Sequence, residues 1–330
     1  MNEMMSNIGY FNMHMMLEDC LWNAQKSAAN SGVPGIASGF FPLDELMCGF
    51  EAGKMYVIGG RPCIGREEFM LSMIRDITLE SKLPVLLFST NHQKKDYVER
   101  LVSIHCDIPT SHLHRGRIDS QMKSRLDMKI GTLADAPLFI HDSLDLPLNE
   151  LVETARNCIS KEGTKIIFID CLQMIDFAKG EEASSERVAK VIYSLKQLAY
   201  SSNLPIVVGS MLNRGVEYRE VFEGKRPQLV DLANSSYIEG LADVIMMVHR
   251  PEYYHIYQDE HGRDLHGLME IIVRKNALKP LGSIFLDYKQ ETGIITSKSA
   301  SKPVSLKNFK TDNEAIRKLI KAFNLEEVFA

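Results

Sequence analysis

One short stretch constrains this chain more than any other: Gly60-Arg61-Pro62-Cys63-Ile64-Gly65-Arg66-Glu67. Its glycines have the spacing of a phosphate-binding loop, G-x-x-x-x-G-K-[ST], whose backbone amides cradle phosphate oxygens. The apolar run Met55-Tyr56-Val57-Ile58 before it reads as a strand, and Phe69 to Ile77 after it as a helix. Strand, glycine loop and helix in that order is the setting such a loop needs. The two residues that do the chemistry depart from the pattern. Arg66 stands where a Lys would reach the β- and γ-phosphates, and Glu67 where a hydroxyl would ligate Mg²⁺. The chain is built like a nucleotide hydrolase and lacks residues such an enzyme needs.

The rest of the chain continues the α/β pattern. Val85–Phe88, Leu138–His141, Ile166–Ile169, Ile206–Val208 and Val244–Val248 are short, apolar and rich in β-branched residues, and read as buried strands. Helices are predicted between them at 94–105, 148–161, 186–202 and 234–241. That order predicts a doubly wound, mostly parallel sheet. Leu268–Val273 and Ser283–Tyr288 flank the polar segment Arg274–Gly282 and are expected as an antiparallel edge. Three parts result. Residues 1–33 hold a Met-rich helix with Met13, Leu17, Cys20 and Ala24 on one face, ended by Gly32-Val33-Pro34-Gly35. Residues 34–298 are the core domain, and 299–330 a polar linker with a terminal amphipathic helix. In that helix Thr311 and Glu314 form a capping-box pattern ahead of the stripe Ile316, Leu319, Ile320 and Phe323.

A hydrophobic share of 45% with 25% charged residues is the balance of a globular protein, and 330 residues suffice for one large α/β domain. The net charge of −5 argues against a broad basic surface for nucleic acid and leaves a local patch open. The six cysteines (20, 48, 63, 106, 158, 171) contain no C-x-x-C, which points to reduced thiols in a cytoplasmic protein rather than to a disulfide framework or a zinc site. His112, His114, His249, His255, His261 and His266 lack metal-ligand spacing, so no metal centre is expected. The N-terminus carries no basic signal-peptide region. No apolar run approaches the ~20 residues of a membrane span.

A series of motifs in register gives the core a family resemblance. Gly39-Phe40-Phe41-Pro42-Leu43-Asp44 opens it, and Gly60-Arg61-Pro62 begins the loop. Pro84 to Ser89 precedes the catalytic position, and Ile166 to Gln173 is close to a Walker B strand ending I-D-Y-L-Q. Pro205 to Arg214 is close to P-V-V-x-x-S-Q-L-N-R, Ile238-Glu239 with Ala242-Asp243 and Arg250 to I-E-Q-D-A-D and its following strand, and Ile271 to Gly282 to I-I-x-K-Q-R-N-G-P-x-G. Residues 32–298 thus resemble the C-terminal RecA-like motor domain of DnaB-type replicative helicases. The RadA/Sms recombination ATPases share such a core but not these Gly-Arg-Pro and I-E-x-x-A-D patterns. The resemblance implies a RecA-like P-loop NTPase fold, ATP with Mg²⁺ as cofactors where the site functions, and DNA passing through a ring whose two inward loops hold its phosphates. The roughly 33 residues ahead of the core are too few for the family's N-terminal collar, and residues 10–30 would correspond to its linker helix.

The resemblance also implies which roles are lost. Arg66 replaces a compact Lys with a broad planar fork. Glu67 sets a carboxylate beside the triphosphate, with Glu68 next to it; like charges about 4 Å apart repel by roughly 4 kcal/mol at an effective dielectric near 20, about a thousandfold in affinity. Asn91 stands at the catalytic Glu, and an amide cannot take a proton from water. Met211 stands at the Gln that senses the γ-phosphate. Ala277 stands at the Arg finger, a group worth about 10³–10⁵ in rate. Asp170 of Walker B remains, either as a metal-site remnant or as a structural carboxylate, and so does Lys275, a subunit-interface candidate.

The family's two DNA loops correspond to about 176–187 and 214–235. The first sets Asp176, Glu181, Glu182 and Glu186 against Lys179 and Arg187, the wrong sign for phosphates. The second sets Arg214, Arg219, Lys225 and Arg226 against Glu217, Glu220, Glu223 and Asp231. Solvated mixed-charge loops and weak single-strand binding are the two readings of these segments. Tyr253, Tyr254 and Tyr257 either stack bases or pack locally. The sequence reads as a catalytically degenerate helicase paralogue that acts in replication through helicase-type subunits, other replication proteins or its own copies, with no likeness to membrane proteins. Its rivals are an active ATP-dependent helicase and a nucleotide sensor without hydrolysis.

Overall fold

The central strands are apolar at consecutive positions, so both faces of their sheet must be covered, and helices on both sides do this. A computed structural model describes residues 33–176, 185–220, 222–233, 235–277 and 280–297, with Met13, His14, Met16, Leu17, Cys20, Leu21 and Trp22. In a unit spanning Ile36–Ala300 the chain runs through α1 (Phe41–Met47), β1 (Met55–Gly60), α2 (Arg66–Leu79), β2 (Val85–Ser89), α3 (Lys94–Cys106) and α4 (Ser120–Ala134). It continues through β3 (Leu138–Asp142), α5 (Leu148–Glu162), β4 (Ile166–Ile169), α6 (Ser185–Ser202), β5 (Ile206–Met211) and α7 (Ser235–Leu241). The last strands are β6 (Val244–His249), β7 (Leu268–Asn276), β8 (Gly282–Lys289) and β9 (Ile294–Thr296).

Among the described residues these strands form one nine-stranded sheet, ordered β3-β2-β4-β5-β1-β6-β7-β8-β9. The six strands from β3 to β6 are parallel, and β7, β8 and β9 continue antiparallel. Alternate residues of β1 feed opposite layers, as a strand's period of two requires. Tyr56 and Ile58 join Phe69, Ile74 and Phe168 on one face. Met55 and Val57 join Ile169, Leu195 and Val208 on the other. Because β1 lies in mid-sheet and its chain crosses over to β2, the loops after β1, β2, β4 and β5 converge at one end. Open α/β sheets bind ligands at that place.

The expected strands and the antiparallel edge are present. Two features differ from expectation. Helix α4 has no fully buried residue, so its apolar positions carry no clear core stripe; Asp119 caps it by accepting from Met122 N at 2.7 Å. Strand β7 carries a bulge: Ile245 pairs with Lys275 and Met246 with Val273, which leaves Arg274 out of the ladder. Arg274 Nε instead donates to the Pro227 carbonyl at 2.8 Å. Met13, Leu17 and Cys20 of the expected N-terminal stripe are helical. Ala24, residues 177–184 of the first acidic loop and the helix expected within 299–330 lie outside the described residues.

Candidate functional site

The loop after β1 has the backbone of a phosphate cradle. Gly65 adopts φ 101°, and a Cβ there would stand 2.5 Å from Met269 Cε, so glycine is required on both counts. Arg61 ties the loop to the end of β5, donating from Nη1 to the Leu212 carbonyl and from Nε to Glu217 Oε1, each at 2.7 Å. Ile64 turns inward and is buried. Helix α2 begins at Arg66, which places Glu67 in its first turn, where the helix dipole favours an anion.

Glu67 is the hub of the cleft. Its carboxylate accepts a short hydrogen bond from Arg100 Nη1 of α3 and lies 3.1 Å from His92 Nε2. Arg66 Nη2 is 3.7 Å from its other oxygen, and Arg100 also approaches Glu68 at 3.6 Å. Burial pushes the Glu67 carboxyl up, but the His92 hydrogen bond and the charges of Arg100, His92 and Arg66 outweigh it and hold the group at about 2. The same hydrogen bond raises His92 above the ordinary imidazole value. Glu67 is therefore an ionised internal anion, held by cations that would otherwise be free for a phosphate. The like-charge repulsion expected from sequence is largely neutralised. The Arg66–Glu67 contact is the longest of the three.

Asp170 follows β4 and is buried. It accepts from Thr90 Oγ1 at 2.6 Å, Thr90 N at 2.8 Å, Tyr97 Oη at 2.7 Å and Asn91 N at 3.3 Å. Four donors occupy both oxygens, so Asp170 is a satisfied structural carboxylate and not a partner of Arg66 or Glu67. The Arg66 fork is accommodated over Gly209. A Cβ on Gly209 would stand 3.3 Å from Arg66 Cζ and 2.1 Å from the Asp170 carbonyl oxygen. The result is a cleft of about 340 Å³, lined by the loop from Gly60 to Glu68 except Ile64, by Asn91, His92 and Arg100, and by Met211, Arg250, Tyr288 and Gln290. Mg²⁺ does not fit this donor set: no hydroxyl stands at position 67, and Asp170 has no oxygen to spare. Asn91 offers no base, and Met211 no side-chain amide.

The remaining candidates lie elsewhere. Lys275 Nζ donates to the Glu239 carbonyl, and exposed Ala277 donates its N–H to Asp243 O at 3.3 Å. Asp243 leads into β6 and accepts from Met55 N at 2.7 Å, so both positions are at the opposite end of the sheet from the loop. Three of the four DNA-loop candidates are engaged internally. Arg219 grips buried Asp231 with Nη1 and Nη2, Arg226 Nη2 pairs with buried Glu270 at 2.6 Å, and Lys225 Nζ donates to Glu217 O at 2.6 Å. Arg214 is exposed. Tyr254 stacks on His249 and Tyr257 on His266, the local packing alternative. Sequence reasoning missed Thr90, His92, Tyr97 and Arg100, and named Arg250 only as part of a motif. The available signal was Glu67 itself, since a buried carboxylate demands cations, and Tyr97 and Arg100 lie three apart on one helical face.

Residues 35–296 match the family described as the DnaB-like helicase C-terminal domain. A replicative DNA helicase DnaB of Leifsonia xyli is 31% identical over 255 residues, covering 77% of this chain and 54% of that protein. A probable plasmid replicative DNA helicase of Chlamydia psittaci is 33% identical over 265 residues, covering 80% and 56%. The chain thus spans about half the length of these relatives. Among solved structures, one described as an ATPase domain superposes with a TM-score of 0.79 at 25% identity, covering 88% of this chain and 100% of that one. A DnaB-like replicative helicase, studied with its primase interactions, superposes at 0.72 with 27% identity, covering 79% and 63%. With a family match over residues 35–296, and with the glycine loop, Asp170 and Met211 at the carboxyl ends of β1, β4 and β5, the chain belongs to the DnaB-like helicase family.

Proposed function

We propose that this protein serves DNA replication as a DnaB-type domain that has lost its motor chemistry. It acts by associating with helicase-type subunits, with other replication proteins such as a primase, or with copies of itself. The observation that carries this reading is the Glu67 carboxylate, which takes the place of a Mg²⁺-binding hydroxyl and engages Arg66, Arg100 and His92. The loss of a base at Asn91 and of an amide at Met211 supports it, as does the saturation of Asp170. Single-strand binding is weak or absent, because Arg219, Lys225 and Arg226 are spent on internal partners.

A second reading, a nucleotide sensor without hydrolysis, draws on the cleft's charge. Arg61, Arg66, Arg100 and Arg250 outnumber Glu67 and Glu68 along its walls. ATP hydrolysis measured with and without single-stranded DNA tests the main reading, and turnover near 1 s⁻¹, an ordinary enzyme rate, would refute it. Thermal shift with Mg-ATP separates the two: no shift supports association alone, and a shift without turnover supports the sensor. The double substitution R66K/E67T is expected to restore nucleotide binding before any hydrolysis.

A further inference from the structure

Cys63 has no part in the scheme above. It lies in the loop after β1, exposed, with a left-handed backbone of φ 60°. It opens onto the cleft that Arg66, Arg100 and Arg250 line. Arg66 and Arg250 are only 7% and 6% exposed, and the Nε of each is buried without a hydrogen-bond partner. Arg250 is stacked on Tyr288, its guanidinium carbon 5.1 Å from the ring centre, and pairs with no carboxylate among the described residues. A buried guanidinium without an anion is costly. Arg61 is paired with Glu217, so the remaining three arginines of the lining exceed its two glutamates by one positive charge before His92 is counted. The cleft is therefore short of negative charge, and its exposed nucleophile is a thiol.

We propose that Cys63 is a thiol-modification site selective for small anionic disulfides, those whose halves carry carboxylates. The transferred half lies in the cleft with its carboxylate toward Arg66 and Arg250. In the reaction the Cys63 thiol gives its proton to water, and Sγ attacks one sulfur of the disulfide. The S–S bond breaks, an Sγ–S bond forms, and the other half leaves as a thiolate with the bonding pair. Cys63 is oxidised and the departing thiol reduced, so the balance closes on the disulfide alone. Selectivity comes from the field: a positively lined cleft raises the local concentration and encounter rate of an anion by about 10–10³. A neutral disulfide gains nothing from it. The adduct occupies the space that a phosphate ligand would use, so modification and anion binding exclude each other.

The full chain is treated separately with oxidised glutathione, with the dianionic dithiobis-nitrobenzoate and with the neutral dithiodipyridine. Labelled cysteines are located by peptide mass, with exposed Cys20 as internal reference. The Cys63-to-Cys20 rate ratio is expected to be about tenfold or more higher for the dianionic reagent than for the neutral one. Raising the ionic strength from about 0.01 M to about 1 M shortens the screening length from roughly 30 Å to roughly 3 Å and should erase that preference. R250Q should lessen it at low salt, and the salt series on the unaltered protein stands even if that variant fails to fold. Equal ratios for both reagents at low salt, a preference indifferent to salt, or no glutathione adduct at Cys63 would each overturn the proposal.

Discussion

Replacing Glu67 with Gln tests the electrostatics of the cleft directly, because Gln keeps the size of the side chain and removes its charge. The carboxyl moves from its ordinary 4.5 to about 2 on folding. At about 1.36 kcal/mol per pH unit this corresponds to roughly 3 kcal/mol of stability at neutral pH. Solvent reaches 18% of the side chain and screens part of that, so E67Q is expected to lose about 2 kcal/mol. The folded value lies below the unfolded one, so the stabilisation is complete above pH 4.5 and is lost as pH falls from there toward 2. His92 runs in the opposite sense. The Glu67 hydrogen bond raises it, so its contribution is full below 6.5 and fades as pH rises through its folded value.

Urea unfolding followed by circular dichroism at a series of pH values gives the difference between wild type and E67Q. That difference should be near its maximum around pH 6 and fall by more than half by about pH 3. E67Q also strands Arg66, Arg100 and His92 without their shared anion, so added phosphate should raise its melting temperature more than that of wild type. A variant as stable as wild type at pH 6, or a loss that does not change with pH, would refute the reasoning.

Two further substitutions probe the buried polar groups. Arg226→Met leaves Glu270, 1% exposed, without its guanidinium and should cost about 3–5 kcal/mol. The loss is read as a lower urea midpoint at unchanged slope, and the double variant R226M/E270L should recover much of it. Tyr97→Phe removes one of the four donors to Asp170 and should cost about 1–3 kcal/mol. Calorimetry would show this as a lower melting temperature, and an unchanged one would mean that Asp170 is not held as described.

The fold was largely legible because its strands are uninterrupted apolar runs, such as Ile166–Ile169 and Val244–Val248, whose reading does not depend on distant contacts. Helix α4 was not, because it buries nothing fully and so leaves no clear period of 3.6 residues. The loop and its departures were legible residue by residue. Their consequence was not, because the partners of Glu67 come from the segment after β2 and from α3, and only the tertiary fold brings His92 and Arg100 to it. Repulsion was therefore expected where the chain has built a neutralised cluster. The charges of the second DNA loop misled in the same way. A near-zero balance between 214 and 235 does not reveal that Arg226 reaches Glu270 on β7.

The replacements in the cleft depend on one another, and this decides which reversals can matter. Arg66 lies close over Gly209, where a Cβ would stand 3.3 Å from its Cζ, and Glu67 lies beside it as a counter-charge. The single change R66K would leave Glu67, Arg100 and His92 paired and no hydroxyl for a metal. The single change E67T would leave buried Arg66 and half-buried His92 without their anion, and Arg100 with Glu68 alone, a costly state. Either one therefore starts from a less favourable cleft than the pair R66K/E67T, which removes the broad fork and the internal anion together. Even then Arg100 and His92 must find a new counter-charge, and a nucleotide's phosphates supply one. That is why binding is the first property expected to return. Hydrolysis requires more, because Asn91 contributes no base, Met211 contributes no amide, and Thr90 and Tyr97 still hold both oxygens of Asp170.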